Sequence, residues 1–212
     1  FMTLLNFCTN DLSSFYFDIR KDTIYCDSID SKKRKAARTL LDILFNSLVR
    51  WFAPSLVFTC EEAWKSRGNQ SSIHLEEFLK IEKNFKNEEI KNKWEIIRNI
   101  RKVVTGALEK KREERIIGSS LEASIEIYVD KKVKPIIDDI DFAEISITSN
   151  AKLLEINSST KGFILENYKD IIVNIKKADG KKCNRCWKIS EEVKNDNDIC
   201  NRCDDIIKNN NF

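Results

Sequence analysis

Four cysteines near the end of this 212-residue chain constrain its fold more than any other feature. They form two C-x2-C pairs, Cys183 with Cys186 and Cys200 with Cys203, and thirteen residues separate the pairs. Each pair holds two sulfur atoms in a tight turn, so the spacing predicts four thiolates around one tetrahedral ion, as zinc prefers. A redox dithiol is the alternative, but it needs a single C-x-x-C at a strand-to-helix junction. We therefore predict one structural zinc ion per chain.

The composition excludes several other classes of protein. Hydrophobic residues make up 42% and charged residues 33%, which is typical of a folded, soluble chain. The longest uncharged stretches are ten residues, whereas a membrane-spanning helix needs roughly 20, and no secretory signal is apparent. Seven cysteines, an odd number, fit poorly with a secreted disulfide framework. We expect a cytoplasmic protein without a membrane partner.

Glycine and histidine usage narrows the possible chemistry further. The five glycines include no G-x-G, which excludes Walker-type and Rossmann-type phosphate loops. The single histidine, His74, excludes any site that requires two. No catalytic residue is predicted in this chain.

Positive charge is clustered, although the net charge is only +3. Such clusters can contact the phosphates of a nucleic acid, and a solvated helix face is the alternative interpretation of each one. The chain has three basic clusters, and one of them lies between residues 98 and 115. The other two clusters contain the candidate phosphate-binding residues: Lys32, Lys33, Arg34, Lys35, Lys181 and Lys182.

Helical periodicity dominates the first half of the chain. Apolar residues recur at three- and four-residue spacings from Lys32 to the Ala53-Pro54 step, where the helix should end. The sequence Thr59-x-x-Glu62 is typical of a capping box and predicts the start of the next helix. The stretch 84–115 has the spacing of one long helix.

The period changes from helix-like to strand-like at Gly118. Residues 121–129 alternate between apolar and polar, which predicts a half-buried strand. Shorter strands are expected at 145–148, 153–156, 163–165 and 171–176, with a short helix after Pro135.

These patterns predict a multi-domain chain that is mainly α in its N-terminal half. A helical domain occupies residues 1–83 and a long connecting helix 84–116. A small α+β domain spans 117–177, and a four-cysteine zinc ribbon or knuckle spans 178–208. The last module is too small to fold around its own apolar core, so the metal should supply its stability.

Four segments of the chain resemble bacterial isoleucyl-tRNA synthetases. Residues 11–27, DLSSFYFDIRKDTIYCD, and 53–64, APSLVFTCEEAW, resemble the anticodon-binding helical domain of that family. Residues 117–123, IGSSLEA, resemble its next domain. Residues 182–187, KCNRCW, followed by residues 200–203, CNRC, resemble the C-terminal zinc module of that family.

The resemblance implies the C-terminal, tRNA-recognising part of an isoleucine–tRNA ligase. The parent enzyme would be a cytoplasmic monomer that uses ATP and isoleucine to aminoacylate tRNA(Ile), and this part would bind the anticodon stem-loop. The chain lacks the His-Ile-Gly-His-like and Lys-Met-Ser-Lys-Ser-like motifs of class I synthetases. We therefore expect it to be catalytically inactive alone.

The resemblance also implies that Arg185 and Trp187, which flank the second cysteine of the first pair, contact the anticodon. Two alternatives remain at this stage: Trp187 packs beneath the metal turn, or Arg185 offsets the negative charge of the metal centre. Two other functions also remain, namely a DNA-binding fragment of a zinc-containing repair glycosylase and a zinc-stapled protein-interaction module.

Overall fold

A computed structural model describes residues 1–80, 85–195 and 198–210. The chain divides into two compact units, Phe1–Lys86 and Asn87–Phe212. The first is helical, and the second combines helices, a small mixed sheet and the cysteine cluster, which confirms the predicted fold class. No helix among the described residues is both long enough and apolar enough to cross a membrane.

The described part of the first unit, residues 1–80, is built from helices and one short turn. In one core cluster Trp64 packs with Val49 and Ile73, and the indole N–H of Trp64 donates to the Ser71 carbonyl at 3.1 Å. The elements in chain order are α1 (Met2–Asn6), a π-helical stretch (Phe7–Phe17), α2 (Asp18–Cys26), α3 (Lys32–Phe52), α4 (Val57–Ser66) and a 3-10 turn (Ile73–Leu75).

Helix α3 begins and ends where its sequence predicts. The Ser31 hydroxyl accepts a hydrogen bond from the Arg34 N–H, and the helix ends at Phe52, directly before Ala53-Pro54. The capping-box prediction for Thr59 is wrong, because α4 begins at Val57 without any side-chain cap. The turn after α3 already aligns the backbone, and the Leu56 carbonyl accepts the first helical bond, from the Cys60 N–H at 2.9 Å.

The second unit places one long helix against a three-stranded sheet. Helix α5 (Glu88–Glu113) packs against a sheet with strand order β2-β1-β3. Strand β1 pairs in parallel with β2 and antiparallel with β3, so that Ile127 lies opposite Leu153 on one side and Val173 on the other. The strands are β1 (Ala123–Val129), β2 (Asn150–Glu155) and β3 (Ile171–Lys177).

Two of the predicted strands are wrong. Residues 145–148 follow the short helix α6 (Lys134–Ile137) and lie at the end of helix α7 (Phe142–Ser146) and in its closing turn. The Asp141 carboxylate caps α7 by accepting from the N–H groups of Ala143 and Glu144, which outweighs the local β propensity. In 163–165, only Phe163 pairs, through a single bridge to Val173.

A close backbone contact holds the small hairpin of β4 (Lys181–Lys182) and β5 (Ile189–Ser190). Gly180 precedes the hairpin at φ 107°, and a Cβ there would lie 2.3 Å from the Ser190 carbonyl. Only glycine tolerates both the positive φ and this close approach.

We expect Gly180→Ala to lower the melting temperature and loosen the predicted metal centre that follows. Backbone strain alone costs about 1–3 kcal/mol, and the contact with Ser190 adds to it. Gly68→Ala is a matched control, because Gly68 has φ 85° but open space around the position of a Cβ. Equal melting temperatures and zinc contents for the two variants would contradict this prediction.

Candidate metal centre and adjoining surface

The four cysteines of the two C-x2-C pairs converge on one point. Cys183 follows β4, Cys186 ends the next turn, and Cys200 and Cys203 lie at the start of α8 (Asn201–Asn210). All four are buried, and their sulfur atoms lie within 4.8 Å of one another. The Cys186 and Cys200 sulfur atoms are 3.8 Å apart, and a tetrahedron with Zn–S bonds of about 2.3 Å has edges of about 3.8 Å. Both the donor set and the spacing fit a zinc ion.

Hydrogen bonds to sulfur prepare the site for a cation. Burial acts to raise the pKa of Cys183, but hydrogen bonds from the backbone N–H groups of Cys186, Cys200 and Arg185 outweigh it and lower that pKa to about 6. Burial raises the pKa of Cys186 and that of Cys200. The Cys183 thiolate therefore forms readily, and a bound cation would be needed to keep Cys186 and Cys200 deprotonated.

Arg185 lies against this cluster rather than pointing freely into solvent. Its Nη1 donates to the Cys203 sulfur at 3.6 Å, and the side chain is half-buried. A zinc ion with four thiolates carries a formal charge of −2, which a neighbouring guanidinium offsets. Charge compensation therefore agrees with the geometry, whereas the anticodon contact of Arg185 stays a prediction.

Trp187 projects outward from the metal turn. The side chain is 59% exposed, which rules out the alternative in which it packs beneath the turn. The backbone N–H of Trp187 donates to the Cys183 carbonyl at 2.9 Å. The φ of Trp187 is 65°, a backbone conformation that is strained for a bulky residue. The Lys182 ammonium lies 5.2 Å from the indole centroid. The turn thus places an exposed aromatic ring on the surface at a cost in backbone energy.

A serine that sequence reasoning missed joins the hairpin to the sheet. The Ser149 hydroxyl donates to the Leu121 carbonyl and accepts from the Ile189 N–H at 2.6 Å. Next to it, the Ala178 N–H donates to the Glu122 carbonyl at 2.7 Å. These contacts dock the cysteine module on the α+β part of the second unit. No spacing pattern in the sequence marks Ser149, because its partners are distant in the chain.

The basic cluster at the start of α3 divides into two kinds of residue. Arg34 donates to the Asp27 carbonyl at 2.8 Å, and Lys35 pairs with the Asp30 carboxylate at 2.8 Å. Lys32 and Lys33 are exposed, as are Lys181 and Lys182 on β4. Arg34 and Lys35 therefore make contacts within the fold, and the RNA contacts expected of this cluster remain predictions.

An open cavity of about 610 Å³ lies between α3 and the end of α4. Arg67, which directly follows α4, reaches the Asp42 carboxylate of α3 at 2.5 Å across it. The sequence holds no sign of this juxtaposition, because 24 residues separate the two side chains along the chain. The lining residues are Lys35, Arg38, Thr39, Leu41, Asp42 and Arg67.

Comparison of this chain with known protein families shows to which family it belongs. Residues 1–127 match the family described as the anticodon-binding domain of tRNA ligase. The chain belongs to this family. Residues 180–206 match the zinc finger found in FPG and IleRS, which together with the cysteine cluster indicates zinc.

Relatives of the family confirm the resemblance to isoleucyl-tRNA synthetases. The chain is 47% identical to an isoleucine–tRNA ligase of Pelagibacter ubique over 189 residues, covering 89% of this chain and 20% of the relative. It is 43% identical to that of Gluconobacter oxydans over 210 residues, covering 96% and 21%, and 45% identical to that of Agrobacterium fabrum over 195 residues, covering 91% and 20%. The chain spans about a fifth of the length of these relatives, in their C-terminal region.

Proposed function

We propose that this chain is the tRNA-recognition part of an isoleucine–tRNA ligase and binds the anticodon stem-loop of tRNA(Ile). The enzyme's catalytic domain would then aminoacylate that tRNA with ATP and isoleucine. The observation that carries the proposal is the exposed ring of Trp187, held in a strained backbone conformation on the metal turn. An exposed aromatic ring on a strained backbone, in a member of an anticodon-binding family, favours a role in recognition.

The chemistry of an anticodon loop matches what Trp187 offers. Bases in a single-stranded loop can be splayed out and stacked on an aromatic plane, at about 1–3 kcal/mol per base. The turn fixes the backbone that carries the ring, so this part of the site needs no ordering on binding. Lys181 and Lys182 on the adjoining strand supply positive charge for the neighbouring phosphates.

We propose one zinc ion per chain with a structural role. Cys183, Cys186, Cys200 and Cys203 would hold it, and four protein ligands leave no open position for a substrate or water. When bound, the zinc ion supplies folding energy to the module. The chain's own residues, Trp187 above all, would contact the RNA.

We propose that the intact enzyme is located in the cytoplasm, where tRNA is charged, and acts as a monomer. Binding one anticodon arm needs only the surface of a single chain.

Binding of synthetic RNA hairpins tests the proposal. We expect the 212-residue chain to bind a hairpin with an isoleucine anticodon more tightly than one with an unrelated anticodon or duplex DNA of equal length. Fluorescence anisotropy at fixed salt measures all three affinities. Tighter binding to duplex DNA would instead support the glycosylase-type alternative, and binding to none of the three would support a protein-interaction module.

A further inference from the structure

We propose that Ser149 is a positioning residue, which sets where the metal turn and Trp187 stand relative to the sheet of the second unit. This inference rests on the proposed function and names a residue that acts on RNA binding through Trp187. The Ser149 hydroxyl donates to the Leu121 carbonyl and accepts from the Ile189 N–H at 2.6 Å. Ile189 lies on β5 and follows Trp187 by two residues.

The hydroxyl of Ser149 bridges the two segments of the chain that match known families. Leu121 lies within residues 1–127, which match the anticodon-binding domain, and Ile189 lies within residues 180–206, which match the zinc finger. Ser149 lies between the two matched segments. An RNA that is bound by both segments at once requires them to stand in one arrangement, so the residue that joins them bears on affinity.

Ser149 is held firmly on the side of the sheet. Its backbone N–H donates to the Ala123 carbonyl at 3.0 Å, and the next residue, Asn150, begins β2. Asn150 lies opposite Ser124 in the parallel pairing of β2 with β1. The oxygen that Ile189 contacts is therefore carried by backbone that is already paired with the sheet.

From Ile189, hydrogen bonds continue to the recognition ring. Ile189 pairs with Lys182 across the β4–β5 hairpin. Beside this pair, the Cys183 N–H donates to the Lys188 carbonyl at 2.9 Å, and the Trp187 N–H donates to the Cys183 carbonyl at the same distance. A displacement of β5 would therefore carry Trp187 with it.

A second tie to the sheet makes the role of Ser149 one of orientation rather than attachment. The Ala178 N–H donates to the Glu122 carbonyl at 2.7 Å just before β4, whereas the contact of Ser149 lies on β5. Two ties at different strands oppose rotation of the β4–β5 hairpin, whereas a single tie permits rotation about it. Without the Ser149 hydroxyl the module should stay attached, but only its docked population would present Trp187 correctly.

Ser149→Ala should weaken binding of the isoleucine-anticodon RNA about three- to tenfold in the 212-residue chain. The substitution removes one hydrogen-bond donor and one acceptor, and the apparent affinity falls in proportion to the docked fraction. Zinc content should stay at the wild-type value, and the Ile189 amide should exchange with deuterium faster because it loses its acceptor. Ser119→Ala is the matched control, since the Ser119 hydroxyl also contacts Leu121, by accepting from its N–H at 3.3 Å, but caps a 3-10 turn.

Combining Ser149→Ala with Trp187→Gly distinguishes positioning from stability. If Ser149 acts through Trp187, its substitution should change the RNA affinity by less than about twofold once the ring is absent, because the two effects are then not additive. A serine that merely stabilised the module would weaken RNA binding by the same factor in both backgrounds. Fluorescence anisotropy at fixed salt measures the four affinities.

The outcomes separate this inference from the proposed function. If the wild-type chain binds the RNA and Trp187→Gly weakens that binding, but Ser149→Ala binds like Ser119→Ala, this inference is wrong and the proposed function stands. Equal losses with and without the Trp187 ring, or a loss of affinity together with a loss of zinc, would also overturn the positioning role. If the wild-type chain does not bind the RNA, the proposed function and this inference both fail.

Discussion

Replacing Cys203 by serine is expected to release the zinc ion and unfold the module of residues 178–208. Among the described residues between Cys183 and Cys203, the buried ones are the four cysteines and Val193, too few for an apolar core. The apparent binding free energy of a structural zinc ion in small modules is about 10–16 kcal/mol at neutral pH. Loss of one ligand removes much of that free energy and leaves three buried thiols without their cation.

Elemental analysis and cobalt substitution measure this effect directly. Wild-type protein should bind one zinc ion per chain, and its cobalt form should show tetrahedral d–d bands with sulfur-to-metal charge transfer. The control Cys8→Ser should keep both, because Cys8 lies outside the cluster. Stoichiometric zinc in Cys203→Ser, or none in wild-type protein prepared without chelator, would contradict the proposed centre.

Replacing Trp187 by glycine should separate RNA binding from stability. Glycine adopts the φ of 65° found here without strain, so the melting temperature should be unchanged or higher. Removing the ring should weaken binding of the anticodon hairpin by about 1–3 kcal/mol, the range for one stacked base. Zinc content should not change, because the ring is not beneath the metal turn.

Two further variants sharpen the test on Trp187. Trp187→Phe keeps an aromatic plane in the same strained backbone and should recover part of the affinity. Trp187→Ala lacks the ring but keeps a Cβ at positive φ, so it should bind as weakly as glycine and be less stable than it. Unchanged hairpin affinity in the glycine and alanine variants would reject the anticodon role. A fall in zinc content would indicate that the ring supports the module instead.

Local spacing made several features predictable from the sequence. The two C-x2-C pairs indicate a metal turn because each turn places two sulfurs on one side over three residues. The long helix and strand β1 were likewise expected, because periods of 3.6 and 2 show directly which face of an element is apolar. The structure has them at Glu88–Glu113 and Ala123–Val129.

Competition between local signals limited the prediction of short elements. At 145–148 the β-branched residues favoured a strand, but the Asp141 cap extends a helix into this segment. Thr59 and Glu62 have the spacing of a capping box, yet α4 begins two residues before Thr59 because the preceding turn aligns its backbone. A local pattern of four residues is weaker than the hydrogen bonds that the neighbouring element already provides.

The sequence by itself determined the paired-cysteine pattern that predicts a zinc site, the helical first half and the mixed second half. Only the tertiary structure decided that Trp187 points outward, that Ser149 docks the hairpin, and that Arg67 meets Asp42 across a cavity. The physical reason is the distance along the chain over which each feature is encoded. Periodicity and knuckle spacing act within one element, whereas exposure and a shared cavity depend on which distant residues folding brings together.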